Sequence, residues 1–236
     1  MSCLGTDRLK NLYATLSKYE NSDMQTRIDI ERPEQEIIAK FLPNDCCVLE
    51  MGGASGTTSL IINKILKDPT KHVLVEPAID CIPKLMKVKT IYNTSFTIVN
   101  GFVGRNRSEH EKLWDECKYR KMYDLNELEK LINQKFDVMV IDCEGAFYNI
   151  LIDIPEILDN IKLIFIELDG PDEKVPFVKD KLIEHNFILV HSQTHPYFNN
   201  GDVNNVEFGV INNVNELHKL KCRKNMIGFH EVYIKI

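Results

Sequence analysis

Cys47-Val-Leu-Glu-Met-Gly-Gly-Ala-Ser-Gly56 is the stretch that decides the fold. Val48–Leu49 reads as the end of a buried strand, while Gly52, Gly53 and Gly56 let the backbone turn sharply and approach a ligand closely. From Thr57 onward, Leu60, Ile61, Ile65 and Leu66 recur at helical spacing, with no proline until Pro69. Strand, glycine turn and helix in that order make a nucleotide-type binding turn. A dinucleotide fingerprint, G-x-G-x-x-G, fits no register: it would need glycine at Ala54 and Thr57, or at Ser55 and Thr58. What fits is acid-x-G-x-x-x-G, carried by Glu50, Gly52 and Gly56. Glu50, Gly52, Gly53, Ser55 and Gly56 are therefore the first cofactor-binding candidates.

Downstream, His72-Val-Leu-Val-Glu-Pro77 is a second strand, with a helix from about Ile79 to Lys87. Glu76 ends that strand beside the first, where an acid can bind both hydroxyls of a ribose. Phe96-Thr-Ile-Val-Asn-Gly101 is a third strand, and the loop after it lies along the adenine in this architecture. Pro77, Asn100, Gly101 and Phe102 join the cofactor candidates. Residues 105–123, which include Trp114, are a variable connection, and Asp124-Leu-Asn-Glu127 opens a helix as a capping box.

Phe136-Asp-Val-Met-Val-Ile-Asp-Cys-Glu-Gly-Ala146 is the second informative stretch. Val138–Ile141 is a buried strand ending in Asp142 and Glu144, and the carboxyl end of a central strand is where α/β folds place chemistry. Helical segments Tyr148–Ile152 and Pro155–Leu158 follow, then a fifth strand over Ile161–Asp169. Val175–Glu184 is helical, Phe187–His191 is strand six, His195 to about Asn205 is a loop, and Glu231–Ile236 is an antiparallel strand seven. Upstream of the turn, residues 6–20 and 32–42 suit two helices, the second opened by Pro33 and followed by Pro43.

With no repeat or linker, 236 residues fit a single domain over 1–236. Within it, 1–44 are N-terminal helices, 45–170 the cofactor-binding core, and 171–236 the rest of the sheet with an acceptor-side loop. The net charge of -6 gives no global electrostatic case for nucleic acid. No apolar run is long enough to span a bilayer, and no secretory signal is visible at the start. The seven cysteines are odd in number and form no C-x-x-C pair, which points to reduced thiols in the cytoplasm. Oligomeric state is not legible.

The Glu50–Gly56 turn resembles motif I of class I S-adenosylmethionine (SAM)-dependent methyltransferases. More narrowly, two blocks resemble the FkbM-type methyltransferase family. One is Val48-Leu-Glu-Met-Gly-Gly-Ala-Ser-Gly-Thr57 with Val75-Glu-Pro77. The other is Asp137-Val-Met-Val-Ile-Asp-Cys-Glu-Gly-Ala146, with Ile164-Phe-Ile-Glu167 after it. This sequence departs from the family at Val140, where Lys is usual, at Phe147, where Glu is usual, and at Glu50, where Asp is commoner. Beyond residue 190 it does not match well. The resemblance implies a three-layer Rossmann-like α/β fold with a seven-stranded, mostly parallel sheet. Its strand order would be 3-2-1-4-5-7-6, strand seven antiparallel. It also implies SAM as cofactor and O-methylation of a hydroxyl on a small molecule or sugar.

The methyl of SAM is already activated, so the protein has to align the acceptor and take its proton. Asp142 and Glu144 are the catalytic candidates, Asp142 also as a cofactor contact; His191 and His195 rank lower as bases. Strand-end Asp142 and Asp169 should stand close together, either ligating Mg²⁺ or leaving one carboxylate as a base. Only Asn149 and Glu144 offer a third ligand, so metal-independent chemistry is the favoured expectation. Two alternatives compete: a SAM-binding module without turnover, and a nucleic-acid 2′-O-methyltransferase using Lys40 with Asp142.

Overall fold

Strand β1 (Val48–Met51) sits in the middle of the sheet because all four of its residues are buried on both faces. The computed structural model describes residues 10, 11, 13, 14, 31–106, 120–168, 173–194 and 229–236. Before β1 comes helix α1 (Arg32–Phe41); after it come α2 (Thr57–Ile65), β2 (His72–Glu76), α3 (Ile82–Tyr92) and β3 (Thr97–Val103). The chain continues through β4 (Lys121–Tyr123), α4 (Leu125–Lys130), β5 (Val138–Ile141) and α5 (Phe147–Asp153). It ends with β6 (Leu163–Glu167), α6 (Val175–Glu184), β7 (Phe187–Thr194) and β8 (Phe229–Lys235).

These strands form one sheet in the order β4-β3-β2-β1-β5-β6-β8-β7, and only β8 runs antiparallel to its neighbours. Without β4 this is the expected order. The eighth strand is three residues pairing with Gly101–Val103 of β3, too short to show a period in sequence.

Period-two alternation divides the strands between two cores. Leu49, Met51, Val75, Met139 and Ile141 face α4, α5 and α6. Val48, Leu74, Val138, Val140 and Phe165 face α1, α2 and α3 on the other side. Local signals hold where they carry a mechanism: Asp124 and Glu127 close a reciprocal capping box on α4. The expected start of α3 at Ile79 moves to Ile82, with Pro83 in the first turn.

One buried polar cluster joins α6 to β8. Lys179 on α6 pairs with Glu231 on β8 at 2.7 Å, and Tyr233 donates to the same carboxylate. Burial, then the Glu231 charge, pushes the Tyr233 hydroxyl well above its ordinary range. No helix among the described residues is long and apolar enough to cross a membrane.

Candidate functional site

The glycine turn is shaped by what surrounds it. Gly52 takes φ +88°, and its N–H donates to Val75 O at 3.0 Å, turning the chain over the end of β2. Gly56 takes φ +82° and begins α2 in the left-handed conformation. Glu76, buried at the end of β2, holds the turn. Its Oε2 accepts from Gly53 N at 2.9 Å and Ala54 N at 3.0 Å, and its Oε1 from Ala78 N at 2.7 Å. Across the turn, Asp142 N donates to Met51 O at 3.0 Å, so the β5 exit is fastened to the β1 exit.

A cavity of about 200 Å³ opens at these strand ends, on the α4–α6 side. Met51, Val75, Val103, Ala146 and Ile150 supply apolar walls, while Glu76, Asp142 and Glu144 supply carboxylates. Two of its lining residues, Ala54 (φ 38°) and Glu144 (φ 52°), are non-glycines in the left-handed region, which strain favours at binding sites.

Of the sequence candidates, Gly52, Glu76, Pro77, Gly101, Phe102, Asp142 and Glu144 line this cavity. Gly53, Ser55, Gly56 and Asn100 are not among its lining residues. Asn100 instead donates from Nδ2 to Glu76 O at 2.8 Å and Pro77 O at 3.2 Å, fixing the wall from behind. Glu50 points away, because it shares the face of Val48. It is 1 % exposed, accepts from Ser59 Oγ at 2.9 Å and pairs with His72 Nε2 at 2.7 Å. Its visible work is to seat α2 on the sheet. His191 packs on Phe41 at the far end of α1, with ring centroids 5.4 Å apart. Asp169, His195 and Trp114 lie outside the described residues, so the expected Asp142–Asp169 pair does too. Among the described residues no group of three His, Cys, Asp or Glu is arranged to hold a metal ion.

Sequence reasoning missed the walls, Ala54, Ala78, Val103, Ala146 and Ile150. Apolar wall residues carry no motif; the only signal was their place just beyond or within strand ends. It also missed Glu31 and Glu34. Glu31 Oε2 accepts from Thr57 Oγ1 at 2.8 Å, and Glu34 Oε2 from Thr58 Oγ1 at 2.7 Å, so two acids of the α1 start stand on the first turn of α2. Burial, then the Glu31 charge, pushes the Glu34 carboxyl well above the ordinary carboxylate range, against the opposing Thr58 bond. Lys40, by contrast, is exposed in the last turn of α1. Its Nζ lies over the Phe41 ring, 4.9 Å from the centroid.

No family model matches the chain, and no curated protein matches it. Solved structures resemble it in fold. An rRNA methylase from Streptococcus thermophilus aligns over 88% of this chain and 96% of its own, with TM-score 0.50 and 9% identity. A precorrin-6y C5,15-methyltransferase from Geobacter metallireducens aligns over 88% and 87%, with TM-score 0.49 and 11% identity. An uncharacterized protein from Listeria monocytogenes serotype 4b aligns over 86% of this chain, with TM-score 0.49 and 8% identity; the chain spans 66% of its length. The sheet order and the first of these likenesses agree: this chain has a Rossmann-like α/β fold, shared with that rRNA methylase.

Proposed function

We propose that the cavity binds S-adenosylmethionine and that the protein transfers its methyl group to a hydroxyl on a small molecule or a sugar. The observation that carries this is that the turn's anion-seeking groups are already answered by the chain's own acids. In dinucleotide folds the N–H groups of this turn and the start of the following helix face phosphate. Here Gly53 N and Ala54 N go to Glu76, and the Thr57 and Thr58 hydroxyls go to Glu31 and Glu34. A phosphate at Gly53 and Ala54 would meet the Glu76 carboxylate, at roughly 4 kcal/mol for a unit pair 4 Å apart near a protein surface. A nucleoside bearing a cation and no phosphate suits the same surroundings.

The residues present fit such a ligand. Glu76 Oε1 receives one backbone N–H and keeps accepting capacity for a ribose hydroxyl, and the apolar walls can cover a base. When bound, the sulfonium supplies a methyl group already activated for displacement. The chain's task is then to orient the acceptor oxygen and take its proton, which Asp142 and Glu144 can do from the β5 end. The O-methyl assignment rests on the resemblance of the two sequence blocks to FkbM-type enzymes.

Val140 and Phe147, the departures that favour a module without turnover, are both buried in the cores, where an apolar side chain is packing. They remove no charged group from the cavity. Calorimetry with SAM, S-adenosylhomocysteine, AMP and NAD tests the cofactor: the two sulfur nucleosides should bind and NAD should not. Acceptor pools incubated with radiolabelled SAM then test turnover. Labelled small molecules or glycans are expected; label confined to RNA would replace this acceptor class, and no label anywhere would favour the non-catalytic module.

A further inference from the structure

Two cysteines line the same cavity from different strand ends. Cys81 comes from the segment after β2, and Cys143 from the loop after β5. Both are half-buried, and neither is in a disulfide. Cys46 and Cys47 are buried at the opposite, amino end of β1. Burial, then the Asp137 charge, pushes the Cys46 thiol up to about 12 and raises Cys47 as well. Both are at most 5 % exposed, so a disulfide in solution has no access to them. Cys143 also borders a second, smaller cavity with Tyr148, Glu167 and Lys174, so it is part of the wall of both spaces.

From this placement we propose that the cavity is a covalent modification site, in which Cys81 and Cys143 exchange with a low-molecular-weight disulfide of the glutathione kind and the adduct shuts out the adenosyl ligand. The inference rests on the cofactor reading above. In the exchange the cysteine loses its proton to solvent and its sulfur attacks one sulfur of the disulfide. A new S–S bond forms to the protein while the other half leaves as a thiolate. A thiol reductant reverses the step. Both cysteines belong to the walls that would surround the nucleoside, so an adduct on either takes space the ligand needs.

The test uses the full chain with Cys3, Cys117 and Cys222 changed to Ser, treated with glutathione disulfide and followed by peptide mass mapping. S-adenosylhomocysteine is titrated before treatment, after it, and after dithiothreitol. Adducts are expected on Cys81 and Cys143 and not on Cys46 or Cys47. The dissociation constant should rise about tenfold or more and return on reduction. Bound S-adenosylhomocysteine should slow both adducts. With Cys81→Ser and Cys143→Ser added, the ratio of the constants before and after treatment should fall to about one. Absence of both adducts, adducts with an unchanged constant, or a loss that persists in the double variant would each overturn the proposal. Failure of S-adenosylhomocysteine to bind the untreated protein would overturn the cofactor reading, and this inference with it.

Discussion

A Cβ placed on Gly52 would stand 1.7 Å from the carbonyl oxygen of Asp142. The two strand exits that frame the cavity are thus packed backbone to backbone, and glycine is required by the neighbouring main chain before any ligand arrives. From sequence the reason was a different one, close approach of the backbone to a ligand.

Gly52→Ala should therefore act on the fold first. The left-handed backbone alone costs about 1–3 kcal/mol for a non-glycine, and the clash with Asp142 adds to it. Urea unfolding should show a loss of at least about 3 kcal/mol. An unchanged midpoint together with normal S-adenosylhomocysteine binding would remove Gly52 from its assigned place.

Glu76 does two things, and two substitutions separate them. Glu76→Ala should weaken S-adenosylhomocysteine binding by about 1–3 kcal/mol and also lower the melting temperature, since Gly53 N, Ala54 N and Ala78 N lose their acceptor. Glu76→Gln keeps one accepting oxygen and should fall between. Equal affinity in wild type and Glu76→Ala, measured by calorimetry, would take Glu76 out of the ligand site.

Glu34 predicts a pH dependence with a definite sign. Its folded pKa is raised, so its contribution is fully present below the unfolded carboxylate range and fades as pH rises toward the folded value. Above that range the buried group faces Glu31, Glu167 and Glu50. Glu34→Gln mimics the protonated form and can still accept from Thr58. Its stability relative to wild type should improve steadily from about pH 4.5 upward. A difference between the two proteins that is flat from pH 4 to 9 would contradict the assignment.

Asp142 and metal use are separable once an acceptor is known. Asp142→Asn should cut turnover roughly 10²–10⁴-fold, the usual worth of a positioned general base, while S-adenosylhomocysteine still binds. EDTA should leave turnover intact. Activity lost to EDTA and restored by Mg²⁺ would reverse the metal-independent expectation, and full activity in Asp142→Asn would end that residue's direct role.

How much was legible in the sequence depended on whether a signal was local. The strand from Val48, the helix Val175–Glu184 and the Asp124–Glu127 capping box were readable because period, proline and capping act over a few residues. The alternation of strands and helices pointed to a parallel sheet, while its order came from the resemblance of the two sequence blocks to a known family. Glu50 misled because an acid beside a glycine turn looks like a ligand contact. Only strand alternation, which puts it on the face of Val48, shows that it answers Ser59 and His72. Glu31 and Glu34 were illegible for a related reason: their partners, Thr57 and Thr58, lie more than twenty residues away. β4 was missed because three residues cannot declare a period.

The place of β8 bears on how the protein is made. In space it lies between β6 and β7, yet it follows both in chain order. During synthesis the open edges of β6 and β7 therefore leave the ribosome before the strand that bridges them. Leu163, Phe165 and Phe187 must wait with part of their partners missing, a period in which edge pairing with another nascent chain competes. Slowing translation just before residue 229 should lengthen that exposure, and aggregation of the stalled chains is the cost to look for.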